Sequence, residues 1–158
     1  MRKQIIAQDP EEPLSPEPDW LDLEHITRVE VSSEEAAHPI ESALIPDTGL
    51  GWRAAESGEQ TISLMFDVPQ IVRRVHLLFE EPMGGARTQE FALSWLPDGE
   101  QNYRDVVRQQ FNFNPPDVTS EVEDYVVELD GVAALKLTII PDISGGHACA
   151  SLAQLRLA

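Results

Sequence analysis

Two arginines, a histidine and an asparagine–phenylalanine pair are the residues of this chain best suited by type and position to hold a small ligand. Arg53, in GWRAAESGEQTISL (residues 51–64), and Arg87, in MGGARTQEF (83–91), lie in or beside loops, where a guanidinium can offer planar, bidentate contacts. His38 precedes Pro39 in the first long loop. Asn112 and Phe113 belong to RQQFNFNPPD (108–117), in which rings alternate with amides before two prolines. Aromatics beside amides and arginine suit a sugar, whose apolar face stacks while its hydroxyls find donors and acceptors. Phe111 and Phe113 would serve equally as caps on one end of an apolar core, and that simpler reading leads. Arg53 also has two readings. It either meets a ligand or partner, with His38 and Arg87 nearby, or forms an exposed ion pair with Glu56 or Glu59. Its neighbour Trp52 is too large to leave in solvent and is expected inside, since adjacent side chains at a strand entry diverge.

Catalytic chemistry finds less support. With 28 acidic residues, some carboxylate pair falls within reacting distance by chance, and no spacing selects one. Gly-x-Ser-x-Gly, His-Glu-x-x-His and Gly-x-x-x-x-Gly-Lys are absent, and Gly84-Gly85 has no following lysine, so it reads as a turn. The four histidines share no metal-ligand spacing, with His76 on the strand face opposite Val75 and Leu77 and His147 in the last loop. Cys149 is the single cysteine, which excludes an internal disulfide and a multi-cysteine metal site. Arg73 and Arg74 alternate across a strand start, whereas Arg104 and Arg108 are expected on one strand face. No enzymatic activity and no cofactor are expected.

The elements that must position these residues are strands. TISLMFD sets Ile62, Leu64 and Phe66 on one side, and IVRRVHLLFE does the same for Val75, Leu77 and Phe79 after a turn at Val68-Pro69-Gln70. EFALSW groups Phe91, Leu93 and Trp95 before a Pro97-Asp98-Gly99 turn. ITRVEVS, YRDVVRQQF, DYVVELD, ALKLTII and SLAQLRL continue the period of two. Alternation punctuated by Gly, Pro and Asp predicts an all-β antiparallel sandwich or barrel over residues 26–158. HPIESAL is the one helical candidate, with Pro39 near its first turn. Residues 1–25 read as an acidic, proline-rich arm, mobile over 8–18, that Trp20, Leu21 and Leu23 anchor to the domain or offer as a short docking motif.

A formal charge of −17 repels phosphate backbones and anionic lipids, so direct nucleic-acid binding and membrane association are disfavoured. No apolar run reaches the length of a signal peptide or membrane span, and the expected location is cytoplasmic.

HPIESALIPDTGLGWRAAESGEQTISLMFD (38–67) resembles the opening of the discoidin-type, galactose-binding-like β-sandwich (a jelly roll), with Leu44, Asp47 and Trp52 at matching positions. TQEFALSWLPDG resembles the family's strand and hairpin, and ASLAQLRL its closing strand. The resemblance implies a non-catalytic binding module with a carbohydrate or other small polar ligand at the loop end. It also implies a structural Ca²⁺ loop, of which Asp47 survives while Ile45, Leu50 and Gln154 stand where oxygen donors belong. Ca²⁺ takes six to eight oxygens, so an empty loop is expected. The stretch WRAAESGEQTIS, with His38, Glu41, Leu44, Asp47 and Thr48, is similar to the N-terminal domain of the eukaryotic single-strand-break repair scaffold protein, which binds a DNA polymerase and nicked DNA. That similarity implies the alternative function, an intracellular protein-interaction module in a nucleic-acid repair assembly.

Overall fold

The structure, a computed structural model, describes residues 1–4, 18–82 and 84–158. Its elements are α1 (Leu23–Ile26), β1 (Thr27–Val31), α2 (Glu41–Leu44), β2 (Trp52–Ser57), β3 (Gln60–Glu80), β4 (Arg87–Pro97), β5 (Arg104–Phe113), β6 (Ser120–Ile140), β7 (Cys149–Leu152) and β8 (Gln154–Leu157). One sheet runs β1-β3-β6-β4-β5 with β8 also on β3, and β2 pairs with β7 separately; every ladder is antiparallel.

The alternating residues build the core. Ile62, Leu64, Phe66, Val75, Leu77, Phe79, Phe91, Leu93, Leu135, Leu137 and Ile139 are all buried in one cluster. Each leucine or phenylalanine so placed contributes roughly 1.5–3 kcal/mol relative to exposure. Phe79 meets Phe91 at 5.4 Å and Phe111 at 5.2 Å, and Phe111 stands edge-on to Phe113 at 5.3 Å.

One expectation fails here in an instructive way. Val68-Pro69-Gln70 does not reverse the chain. β3 continues through it for 21 residues, and β6 is equally long. The ladder between them slips register three times between Met65 and Arg74, so Pro69, which has no N–H to donate, sits where no pairing demands one. The first half of β3 pairs with β1 and the second half of β6. Its second half pairs with β8 and the first half of β6. Since Phe79 reaches β4 and β5 across the core, the two halves lie in opposite layers. The β3–β6 ribbon is therefore a U. Its bend is pinned where the Asp98 N–H donates to the Gly131 carbonyl at 2.7 Å, with Gly131 at φ 68° in the left-handed region that suits glycine. Its open end carries residues 81–82 and 84–86 and the segments 114–119 and 141–148.

A bulge corrects a second expectation. β5 shifts register between Leu93↔Val107 and Ser94↔Asp105. Arg108 therefore lies opposite Ala92 and pairs with Glu90 at 3.0 Å, whereas Arg104 lies opposite Trp95, its guanidinium 5.7 Å from that ring. The extra residue flips the alternation, so the two arginines occupy different faces.

The packed chain begins before residue 26. The Leu21 N–H donates to the Leu157 carbonyl at 2.7 Å and Leu23 is buried, so these two residues pack against the domain. The expected mobile segment 8–18 lies, except for Pro18, outside the described residues. α2 is the one turn of helix expected from HPIESAL, with Pro39 accepting from the Ser42 N–H at 3.1 Å.

Candidate functional site

At the open end of the U lies a pocket of about 290 Å³ lined by Arg53, Glu81, the Gly84–Ala86 backbone, Arg87, Asp142, Ala148 and Cys149. β2 contributes Arg53 because the alternation that buries Trp52 (1% exposed) and Ala54 turns the intervening residue the other way. The Trp52 indole N–H donates to the Ser33 carbonyl at 3.0 Å, so its ring is structural. Opposite Arg53 in the β2–β7 ladder stands Ser151, whose hydroxyl donates to Glu81.

Glu81 organises the pocket. It is 3% exposed, a burial that costs a carboxylate dearly unless it is paired. Arg53 Nη2 approaches both of its oxygens, at 3.4 and 3.5 Å, and Arg87 Nη2 lies 3.4 Å from Oε1. The two guanidiniums are not equivalent. The Arg87 side chain is 6% exposed, its Nε donates to the Pro141 carbonyl at 2.7 Å, and its flat face lies 5.2 Å from the Phe113 ring. Its Nη2 is buried without a hydrogen bond, because the approach to Glu81 has the distance of an ion pair and not the direction of a hydrogen bond. Arg53, at 32% exposure, is the member at the mouth. Asp142 completes the wall. The hydroxyl and N–H of Ser144 hold its carboxyl below the usual range, with a smaller contribution from Arg87.

Of the residues singled out from sequence, Arg53 and Arg87 are brought together. His38 is beside them and not among them. It lines an adjacent depression with Leu50, Trp52 and Arg53, and its carbonyl accepts from the Arg53 N–H at 3.1 Å. Phe113 is buried beneath Arg87, so it supports the guanidinium and offers no exposed ring. Asn112 faces outward, where its Oδ1 accepts from the Thr88 hydroxyl at 2.6 Å. The expected partners of Arg53, Glu56 and Glu59, give way to Glu81, since the β2–β7 register aims Arg53 toward Ser151. Glu81, Asp142 and Ser151 were missed. Gly84-Gly85, read as a turn, forms pocket wall.

The Asp47 loop turns inward on itself. Asp47 has φ 61°, and the Thr48 hydroxyl donates to the Ile45 carbonyl at 2.6 Å. Among the described residues, Asp47 belongs to no group of three converging His, Cys, Asp or Glu ligands. No helix among them is long and apolar enough to cross a membrane.

No protein-family model and no curated protein matches the sequence. Solved structures do match the fold. A family 32 carbohydrate-binding module of Clostridium perfringens NanJ, solved with galactose, superposes over 87% of this chain and 96% of its own, with a TM-score of 0.62 at 16% identity. The fold is galactose-binding-like. Two further examples of this galactose-binding-like sandwich are a pectin-binding module (TM-score 0.60, 17% identity, 84% of this chain and 89% of that one) and the family 32 module of AlyQ with 4,5-unsaturated mannuronic acid (TM-score 0.58, 18% identity, 84% and 95%). At such identities the likeness carries the fold. The narrower similarity of residues 38–67 to the repair-scaffold domain stays an expectation.

Proposed function

We propose that this chain is a non-catalytic carbohydrate-binding module whose ligand enters the Arg53–Arg87 pocket. The observation that carries the reading is the charge balance at the open end. Two guanidiniums and two carboxylates, Glu81 and Asp142, line one small pocket and offset one another's charge, with Glu81 and Arg87 buried and Arg53 and Asp142 left partly exposed to meet a ligand. That suits a hydroxylated neutral ring better than an ion. A volume of about 290 Å³ lies just under the roughly 300–1,000 Å³ of ordinary ligand sites, which suits a small ligand. Modules of the same fold have been solved with galactose and with an unsaturated mannuronic acid, which supports a sugar as the class of ligand. Among the described lining residues both carboxylates are engaged, Asp142 held toward its ionised form by Ser144 and Glu81 paired with two arginines and a serine, which supports a binding role.

The test is calorimetric titration of the full chain with neutral and acidic monosaccharides and short glycans, followed by Arg53→Gln. Binding should weaken about tenfold or more in that variant, as expected for a lost charged hydrogen bond, while the fold is retained. Absence of binding across a broad glycan array would sink the proposal.

A further inference from the structure

On the outer face of the layer formed by β8, the second half of β3 and the first half of β6 lies a second, larger pocket of about 370 Å³. It is lined by Pro18, Trp20, Arg74, His76, Asp124, Gln154 and Arg156 and shares no residue with the pocket at the open end. Three strands supply its floor in register: His76 lies opposite Asp124 on one side and Arg156 on the other, and Gln154 pairs with Leu78. The Leu21–Leu157 hydrogen bond and the burial of Leu23 hold Trp20 over this floor. Its ring centroid is 6.1 Å from that of His76 and 5.8 Å from the Arg74 guanidinium carbon.

The charge here is unbalanced, in a protein whose mean field is strongly acidic. Among the described residues, Asp124 is the one carboxylate in the lining, and His76 Nδ1 holds it at 2.7 Å. That leaves Arg74 a loose contact of 3.9 Å with the same oxygen. Arg156 spends Nη1 on the carbonyls of Ala43 (2.7 Å) and Leu155 (3.0 Å); no carboxylate among the described residues forms an ion pair with it, and the charge of Asp47 acts on it only from farther away. Two guanidiniums with spare donors, the His76 edge not used by Asp124, and the Gln154 amide thus surround a cavity walled on one side by an indole. Guanidiniums and amides suit a planar or tetrahedral oxyanion, and the indole suits the flat face of a ring.

We propose that this pocket binds a small ring compound bearing a carboxylate or a phosphate, with Arg74 and Arg156 on the anion and Trp20 on the ring. It is a site independent of the sugar pocket at the open end.

The experiment follows amide shifts and tryptophan fluorescence of the full chain on titration with glucuronic acid, glucose 6-phosphate, glucose and inorganic phosphate. The two acidic sugars should move signals of residues 74–78 and 154–157 and perturb Trp20, and whichever binds more tightly names the anion. Glucose should leave these signals still, and inorganic phosphate should bind more weakly than the ring compounds. Arg74→Gln should weaken binding about tenfold or more. It is the variant of choice because Arg156 also ties β8 to α2. Trp20→Leu should abolish the preference for ring compounds over inorganic phosphate, and Arg53→Gln should change nothing at this site, which separates the result from the fate of the sugar pocket. Unaltered affinity in Arg74→Gln, or inorganic phosphate binding as tightly as the acidic sugars, overturns the proposal.

Discussion

Glu81 and Arg53 touch each other, yet their removal should have unequal effects. Glu81→Ala strands the buried Arg87 guanidinium and should cost about 3–5 kcal/mol in a denaturant melt. Arg53→Ala leaves Glu81 with Arg87 and Ser151 and should cost about 1 kcal/mol or less. Trp52→Ala, which empties a fully buried site, should cost about 3–5 kcal/mol. If Arg53→Ala unfolds the protein and Trp52→Ala does not, the roles are reversed. Tyr125 offers a pH test. Burial, reinforced by its hydrogen bond to Glu123 and by the charge of that carboxylate, raises its phenol well above the ordinary value of 10.0. A raised folded pKa favours the native state below the unfolded value and is lost as pH rises past it, so stability should fall above about pH 10. Ultraviolet titration should show one phenol of the native protein resisting ionisation there. At this scale the sequence was half legible. Arg53 and Arg87 stood out by type and loop position, but Glu81 and Ser151 are 70 residues apart and meet through a ladder register that no local spacing records.

For the elements, alternation located the faces of nearly every strand, because period two is imposed by the pleat itself. It could not distinguish a bend from a reversal. Pro69 and Gly131 signal irregular backbone in either case, and only the partner strand decides which occurs. The β5 bulge was equally invisible, since an inserted residue leaves no mark beyond a broken alternation at Val106-Val107. Gly51 gives a test of how closely the elements approach. It has φ 89°, and a Cβ there would lie 2.6 Å from the Leu152 carbonyl oxygen and 2.7 Å from the Ala153 Cα, both backbone atoms. Gly51→Ala should therefore cost at least about 1–3 kcal/mol, read from the denaturation midpoint, by prising β2 from the β7–β8 corner.

At the scale of the molecule, the net charge of −17 acts on stability as a self-repulsion that salt screens. Raising NaCl from about 10 mM to 300 mM, which shrinks the screening length from roughly 30 Å to well under 10 Å, should raise the melting temperature. Millimolar Ca²⁺ should add nothing beyond a matched ionic-strength control. A bound site with micromolar affinity would instead stabilise by roughly 4 kcal/mol at a thousandfold excess.

The U-shaped ribbon also makes the sandwich a pair of tweezers. β3 and β6 are the arms of both layers, joined at a corner near Gly131, and the Arg53–Arg87 pocket lies between the tips. Phe79, Phe91 and Phe111 are wedged between the arms a residue or two behind those tips. The gap at the mouth is thus set by the girth of this wedge as well as by the residues that line it. Trimming Phe79 to leucine should let the tips close and narrow the pocket mouth, although Phe79 does not line that pocket.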